Sequence, residues 1–347
     1  MRGLVIKSTG SSYIVRLDDG QDVECHVKGN FRIRGIRSTN PVAVGDWVKV
    51  LKDDGQRTKD NGQWTKDDGQ WTKDDGRRTK DDGVYWITDV EERRNYIIRK
   101  STNLSKESHI LAANIDQVAL IVTVNHPQTS TTFIDRFLAT CEAYCVPAVL
   151  IFNKTDLLTE DELAKLEELR QLYEGIGYQT LAMSAIAGDV ELSELPGLLE
   201  GKVTLLSGNS GVGKSTLLNA LFGKEMTRTG KISDAHDKGM HTTTFSEMYE
   251  LDVQRDKGQG TKDGIHGWLI DTPGIKGFGT IDFEKEEVGH FFREIFRKSS
   301  ECRFGNCTHT NEPGCAVIDA VEHDEIAISR YESYLSILGD CTETKYR

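Results

Sequence analysis

The stretch GNSGVGKS, Gly208 to Ser215, constrains the fold of this chain more than any other feature. It fits G-x-x-x-x-G-K-[ST], lies after the apolar run KVTLLS and leads into STLLNALFG. Those flanks read as a buried strand and a helix, the setting in which glycines curl the backbone so that its N–H groups and the helix N-terminus face phosphate. The expected phosphate-binding set is Gly208, Asn209, Ser210, Gly211, Val212, Gly213, Lys214, Ser215 and Thr216. Lys214 is expected on the β- and γ-phosphates and Ser215 on magnesium. An ordinary glycine-rich turn is the alternative, and the strand-loop-helix setting argues against it.

Three more elements sit at strand ends, and a fourth, the Thr run, lies between the phosphate loop and the strand of LIDTPG. LIDTPG puts Asp271 where a strand-terminal carboxylate supports magnesium through water, and Gly274 where its N–H meets the γ-phosphate. GMHTTTF offers Thr242, Thr243 or Thr244 to complete the magnesium shell, with Thr243 the choice. NKTD, Asn153 to Asp156, is the pattern that grips guanine. Asp156 accepts from guanine N1 and N2, Asn153 bonds the base and braces the phosphate loop, the Lys154 stem covers the ring, and Thr155 lies between them. MSA brings Ser184 and the Ala185 N–H toward guanine O6. A carboxylate matched to two donors rejects adenine. Together these elements specify a GTPase that binds GTP, GDP and Mg2+. Their order is base, base, phosphate, switch, switch, whereas a conventional GTPase runs phosphate, switch, switch, base, base. The domain is therefore read as a circular permutation, which surface termini tolerate. Many GTPases orient water with a Gln after the second-switch glycine; Ile275 stands there and cannot hydrogen-bond water. His241, beside the Thr run, is the candidate to replace it, with Lys214 and Thr243 as the other catalytic candidates; a surface histidine is the alternative.

The remaining chain divides around this domain. Short alternating runs before residue 100 read as five or so strands of an OB-type β-barrel. Residues 52–83 carry four copies of a seven-residue unit, KDDGQWT in one copy, plus a partial fifth. No two positions per unit are apolar, so a coiled coil is excluded. The block is read as a solvated loop between barrel strands; hairpin turns, calcium binding, or stacking of Trp64 and Trp71 on RNA bases are the sharper alternatives. A short relative at 255–264 reads as another loop insertion. From residue 101, apolar runs alternate with helical patterns, the mark of a doubly wound α/β domain ending near residue 283. The fold class is thus multidomain α/β: a barrel at 1–100, a permuted GTPase at 101–283 and a helical module at 284–347.

That last module holds CRFGNCTHTNEPGC. Cys302, Cys307, His309 and Cys315 match one tetrahedral structural zinc with no open position for water. Unliganded buried thiols are the alternative. An odd total of seven cysteines suits reduced thiols better than disulfides. No apolar run is long enough for a bilayer and no signal-peptide pattern opens the chain, so a cytoplasmic protein without membrane partners is expected. The net charge of −12 argues mildly against nucleic acid, but Lys28, Arg32, Arg34, Arg37 and Lys49 face Asp46 alone between Cys25 and Val50 and form a candidate basic patch.

With its barrel, NKTD, GNSGVGKST, HTTT, DTPG, Cys/His cluster and closing RYESYL, the chain resembles the circularly permuted, small-ribosomal-subunit-dependent GTPases of bacteria. The resemblance covers nearly the whole chain apart from 52–83 and the insertion near 255–264. It implies a late factor in maturation of the small (30S) ribosomal subunit, with hydrolysis stimulated by that subunit and coupled to release. It also implies ribosomal RNA contacts from the barrel and zinc module, and a monomer is expected. Two rivals stay open: a nucleotide-gated RNA-binding module with incidental hydrolysis, and a signalling or metabolic GTPase.

Overall fold

The computed structural model describes residues 1–9, 12–27, 41–53, 84–100, 108–186, 195–222, 246–256, 262–271 and 283–343. The Thr run with His241 and Thr243, the second-switch residues Gly274 and Ile275, repeat residues 54–83, and Lys28, Arg32, Arg34 and Arg37 lie outside these residues.

Alternation in the first 90 residues closes a barrel. Strands β1 (Arg2–Ser8), β2 (Tyr13–Leu17), β3 (Asp22–Val27), β4 (Trp47–Asp53) and β5 (Val84–Val90) run in the order β1-β2-β3-β5-β4. β4 returns to β1 through Arg2↔Lys49, Gly3↔Val48 and Leu4↔Trp47. Tyr13, Val15 and Leu17 point inward from β2, against Val5, Val48 and Ile87. β4 and β5 are antiparallel neighbours with Asp53 opposite Val84, so the repeat leaves and re-enters at the end of one hairpin. Asp46 is fully buried and takes both oxygens to Arg93, at 2.6 Å each. Its charge is therefore matched by Arg93 in the interior. Lys49 pairs with Asp89 at 2.8 Å.

Only the first half of VYWITDVEERRNYIIRK joins the barrel. Its second half forms β6 (Tyr96–Lys100), which pairs with β7 (Ser108–Ala113) in a separate ribbon. The α/β sheet follows: β8 (Gln117–Val122), β9 (Ala148–Asn153), β10 (Gln179–Met183), β11 (Val203–Ser207), β12 (Glu247–Asp256) and β13 (Lys262–Asp271). Its order is β10-β9-β8-β11-β13-β12, parallel except for β12. The β12–β13 hairpin extends to Asp256↔Lys262, so pairing runs into the segment read as a loop insertion.

β8 and β9 are buried at every residue because helices cover both faces. Helices α1 (Thr131–Ala143) and α2 (Glu160–Ile176) pack Phe137, Leu138, Tyr173 and Ile176 on Val118, Leu120, Leu150 and Phe152. Helices α3 (Leu195–Leu199) and α4 (Lys214–Phe222) pack Leu195, Leu198, Leu217 and Leu218 on the alternate residues Ala119, Ile121, Val149 and Ile151. The permutation is visible in the connections. The segment containing α3 joins β10 to the phosphate-loop strand β11, and β13 leads out to the C-terminal module.

That module contains α5 (Arg293–Ser299), α6 (Ala316–Glu322) and α7 (Ile328–Glu343). Its core of Phe283, Val288, Phe292, Ile295, Val317, Tyr334 and Ile337 includes Ala139 of α1, so it docks on the GTPase unit. At the other end, β1 pairs with β12 at Lys7↔Glu247, making one continuous eleven-stranded sheet from barrel to GTPase. Among the described residues no helix is long and apolar enough to cross a membrane.

Candidate nucleotide site and metal centre

The loop after β11 has a conformation that only glycine adopts easily. Gly208, Gly211 and Gly213 have φ of 149°, 86° and 99°. A Cβ on Gly208 would lie 2.4 Å from the Ile121 carbonyl oxygen, and one on Gly213 would lie 2.3 Å from Asn153 Nδ2. Close packing against β8 and β9 thus fixes the loop's path. Lys214 opens α4 and its Nζ donates to Gly208 O at 2.6 Å and Asn209 O at 2.8 Å. Burial pulls its pKa below the ordinary lysine value, and Asp271 opposes that shift. Asp271 ends β13 in register with Leu206, one residue before the end of β11. Lys214, Ser215 and the Asp271 carboxylate are therefore brought to one end of adjacent parallel strands, where ligands of such sheets bind.

The guanine-type motif meets this loop through one side chain. Asn153 ends β9, is 3% exposed, and donates from Nδ2 to Val212 O at 2.8 Å. Its Oδ1 accepts from Ala185 N at 3.1 Å. One amide therefore ties the phosphate loop, NKTD and the Ser184-Ala185 turn together. β9 and β10 are in register at Asn153↔Met183, which sets that reach. Lys154 takes a left-handed φ of 66° and donates from Nζ to His126 O at 2.6 Å. Thr155 and Asp156 form a short 3-10 turn, with Asp156 exposed at the mouth.

In the C-terminal module the ligand atoms of Cys302, Cys307, His309 and Cys315 lie within 4.8 Å of one another. Cys302 Sγ is 3.6 Å from His309 Nδ1 and 3.9 Å from Cys315 Sγ, and Cys315 Sγ is 3.4 Å from that Nδ1. A tetrahedron with zinc–sulfur bonds of ~2.3 Å and a zinc–nitrogen bond of ~2.0 Å has edges of ~3.5 to ~3.8 Å, so the group fits the ion. Burial and neighbouring thiols push Cys307 up to about 12, a cost that a cation in their midst removes. Glu312 folds the loop by accepting from Thr308 N, Thr308 Oγ1 and Thr310 N. Tyr331 and Tyr334 donate to the carbonyls of His309 and Thr308 at 2.7 and 2.6 Å. Of the other cysteines, Cys25 and Cys141 are buried, Cys145 is exposed and Cys341 is partly buried.

Besides Asp46–Arg93, sequence reasoning missed a buried ionic group between the GTPase unit and the C-terminal module. Arg330 of α7, 1% exposed, donates to Asp135 of α1 at 2.7 Å and to Glu294 of α5 at 2.6 Å. Tyr173 of α2 adds a hydrogen bond to the same Asp135 oxygen at 2.9 Å. The available signal was Asp135 on the apolar face of TTFIDRFLATCEA, together with the arginine of RYESYL.

A phosphate loop and a base-recognition motif joined across a permuted α/β sheet, with a barrel before it and a Cys3His module after it, define a circularly permuted GTPase. The RsgA GTPase family model matches residues 90–281 and the RsgA N-terminal domain model matches residues 2–58. The chain belongs to the RsgA GTPase family and is a GTP hydrolase. It is 54% identical to the small ribosomal subunit biogenesis GTPase RsgA of Phocaeicola vulgatus, over 100% of this chain and 99% of the relative. It is 53% identical to RsgA 2 of Bacteroides thetaiotaomicron over the same shares. Among solved structures it is similar to YjeQ from Thermotoga maritima, with TM-score 0.70, 31% identity and 98% of each chain covered. It is also similar to YloQ, a circularly permuted GTPase, with TM-score 0.66, 27% identity, and 100% of this chain and 96% of that one covered.

Proposed function

We propose that this chain acts as a monomeric cytoplasmic assembly factor of the small ribosomal subunit, hydrolysing GTP in response to that subunit and leaving it afterwards. The observation that carries the nucleotide half of the reading is the Asn153 amide, which bonds Val212 O and Ala185 N and so couples base recognition to the phosphate loop. Asp156 reads guanine N1 and N2. Lys154, Thr155, Ser184 and Ala185 line the base. The loop N–H groups from Gly208 to Thr216 and Lys214 hold the phosphates. Ser215, Asp271 and Thr243 hold magnesium, which neutralises charge on the β- and γ-phosphates when bound. Gly274 reads the γ-phosphate, and His241 orients the attacking water. Cys302, Cys307, His309 and Cys315 hold one zinc that keeps its loop folded.

The ribosomal half rests on relatives matched over 99% of their length, each a small ribosomal subunit biogenesis GTPase. Ribosomal RNA contacts then fall to the barrel and the zinc module. Co-sedimentation tests this half directly. The chain should pellet with isolated small subunits in a non-hydrolysable GTP analogue and stay in the supernatant with GDP. Equal distribution in both states contradicts the reading.

A further inference from the structure

The barrel reaches the nucleotide site through a row of charges. β1, β12 and β13 are neighbouring antiparallel strands, with Lys7 opposite Glu247 and Glu247 opposite Asp271. Directly opposed residues of antiparallel strands share a face and have Cα atoms about 5 Å apart. The three side chains therefore form one row across three strands. Lys7 Nζ bonds Glu247 Oε1 at 3.1 Å, and the other Glu247 oxygen accepts from Tyr249 OH at 3.2 Å. The Tyr249 ring meets Phe222 of α4 at 6.0 Å between centroids, so this is the face that the phosphate-loop helix covers. Burial pushes the Tyr249 hydroxyl well above the ordinary tyrosine range, and Glu247 and Asp271 both add to that rise. The row thus runs from the barrel to the Asp271 carboxylate at the end of β13, whose charge acts on Lys214.

Two carboxylates facing each other across neighbouring strands repel. Lys7, supplied by the barrel, cancels one of them. The barrel also holds the same hairpin through Arg16, which pairs with Glu250 and lies 5.4 Å from the Trp268 ring centre. We propose that Lys7 and Glu247 are positioning residues that set the charge felt at the magnesium side of the nucleotide, and that they link the barrel's seat on β12 to the magnesium dependence of nucleotide binding. The proposal rests on the reading of Asp271 as the magnesium-supporting carboxylate. When Lys7 moves away, Glu247 adds one negative charge beside Asp271. That charge repels free GDP, with about three negative charges, more than the magnesium complex, with about one. By linkage, magnesium nucleotide in turn changes how firmly Lys7 holds β12.

The test is GDP affinity of the full chain, measured with a fluorescent GDP analogue in magnesium-free buffer and in saturating magnesium. Chelator is omitted because it would strip the thiol cluster. The readout is the ratio of the two dissociation constants. Lys7→Gln should raise this ratio about threefold to tenfold, the range for one unit charge at ~6–8 Å in a partly screened site. Glu247→Gln should lower it by a similar or smaller factor. Lys7→Gln/Glu247→Gln should return it close to the wild-type value, and Lys7→Arg should leave it unchanged. Far-ultraviolet circular dichroism and melting confirm that each variant is folded. Unchanged ratios in both folded single variants overturn the proposal while leaving the magnesium reading intact. A wild-type ratio of one overturns the magnesium reading itself, and the proposal with it.

Discussion

Arg330 holds the C-terminal module on the GTPase unit at a cost that can be worked out. Its guanidinium is 1% exposed, with Asp135 at 1% and Glu294 at 9%. Burial lowers its pKa, but Asp135 and Glu294 together raise it above the ordinary arginine value, so it stays charged. Arg330→Met keeps the apolar stem and deletes the charge. Two buried carboxylates then face each other without a cation, and removing one partner of a buried pair costs about 3–5 kcal/mol. Loss of the guanidinium from the Phe292 face, 4.7 Å away, adds about 0.5–2 kcal/mol. Urea titration should show the loss, and the melting temperature should fall by roughly 10 °C. The pH dependence carries a sign. Burial already holds Asp135 above its ordinary range, and the substitution removes the opposing Arg330. A carboxylate with a raised folded pKa stabilises below its unfolded pKa, and that contribution is lost as pH rises through the folded value. The variant's deficit should therefore be smaller at pH 5 than at pH 8. Arg330→Met/Asp135→Asn/Glu294→Gln should recover more than half of it, because Asn still accepts from Tyr173. A deficit below about 1 kcal/mol, or one that the neutral triple variant does not relieve, refutes the charge argument.

Further outcomes follow from the same geometry. Gly208→Ala should weaken nucleotide binding at least about tenfold, since its Cβ would meet a backbone carbonyl at 2.4 Å and its φ is 149°; isothermal titration measures this. Asp156→Asn should lose about tenfold to a hundredfold in GTP affinity and gain xanthosine triphosphate, and retention of full GTP affinity would remove Asp156 from base recognition. Elemental analysis should find about one zinc per chain, lower in Cys307→Ser, with chelation loosening residues 302–315 to proteolysis while the module's apolar core holds its helices together. Asp46→Asn should destabilise the barrel by about 3 kcal/mol or more, because Arg93, 6% exposed, loses its buried carboxylate; thermal melting reads it.

The parts legible in the sequence were those with short periods or short motifs. β8 and β9 announced themselves as unbroken apolar runs because helices cover both their faces. The phosphate loop declared its strand and helix, and the four cysteine and histidine ligands lie within fourteen consecutive residues. What stayed hidden depends on residues distant in sequence. Asn153 reaches Val212 across 59 positions, and Arg330 reaches Asp135 across 195. Neither separation leaves a local pattern. Asp46 counted as the one acid of a basic segment, yet it lies buried and bonded by Arg93 and the Ala43 N–H. The seam at Lys7↔Glu247 was equally invisible, because an edge-to-edge pairing of two units needs only one register that their surfaces share. β6 read as barrel strand because alternation fixes a strand's faces but not its partner.

The proposed function requires a GTPase whose chemistry answers to the small ribosomal subunit. Its most direct test is phosphate release from GTP by the purified full chain, followed alone and then with increasing amounts of isolated small subunits. Slow turnover alone and saturable acceleration of at least about tenfold with subunits is the predicted result, with large subunits giving none. Turnover that is the same with and without small subunits would contradict the account.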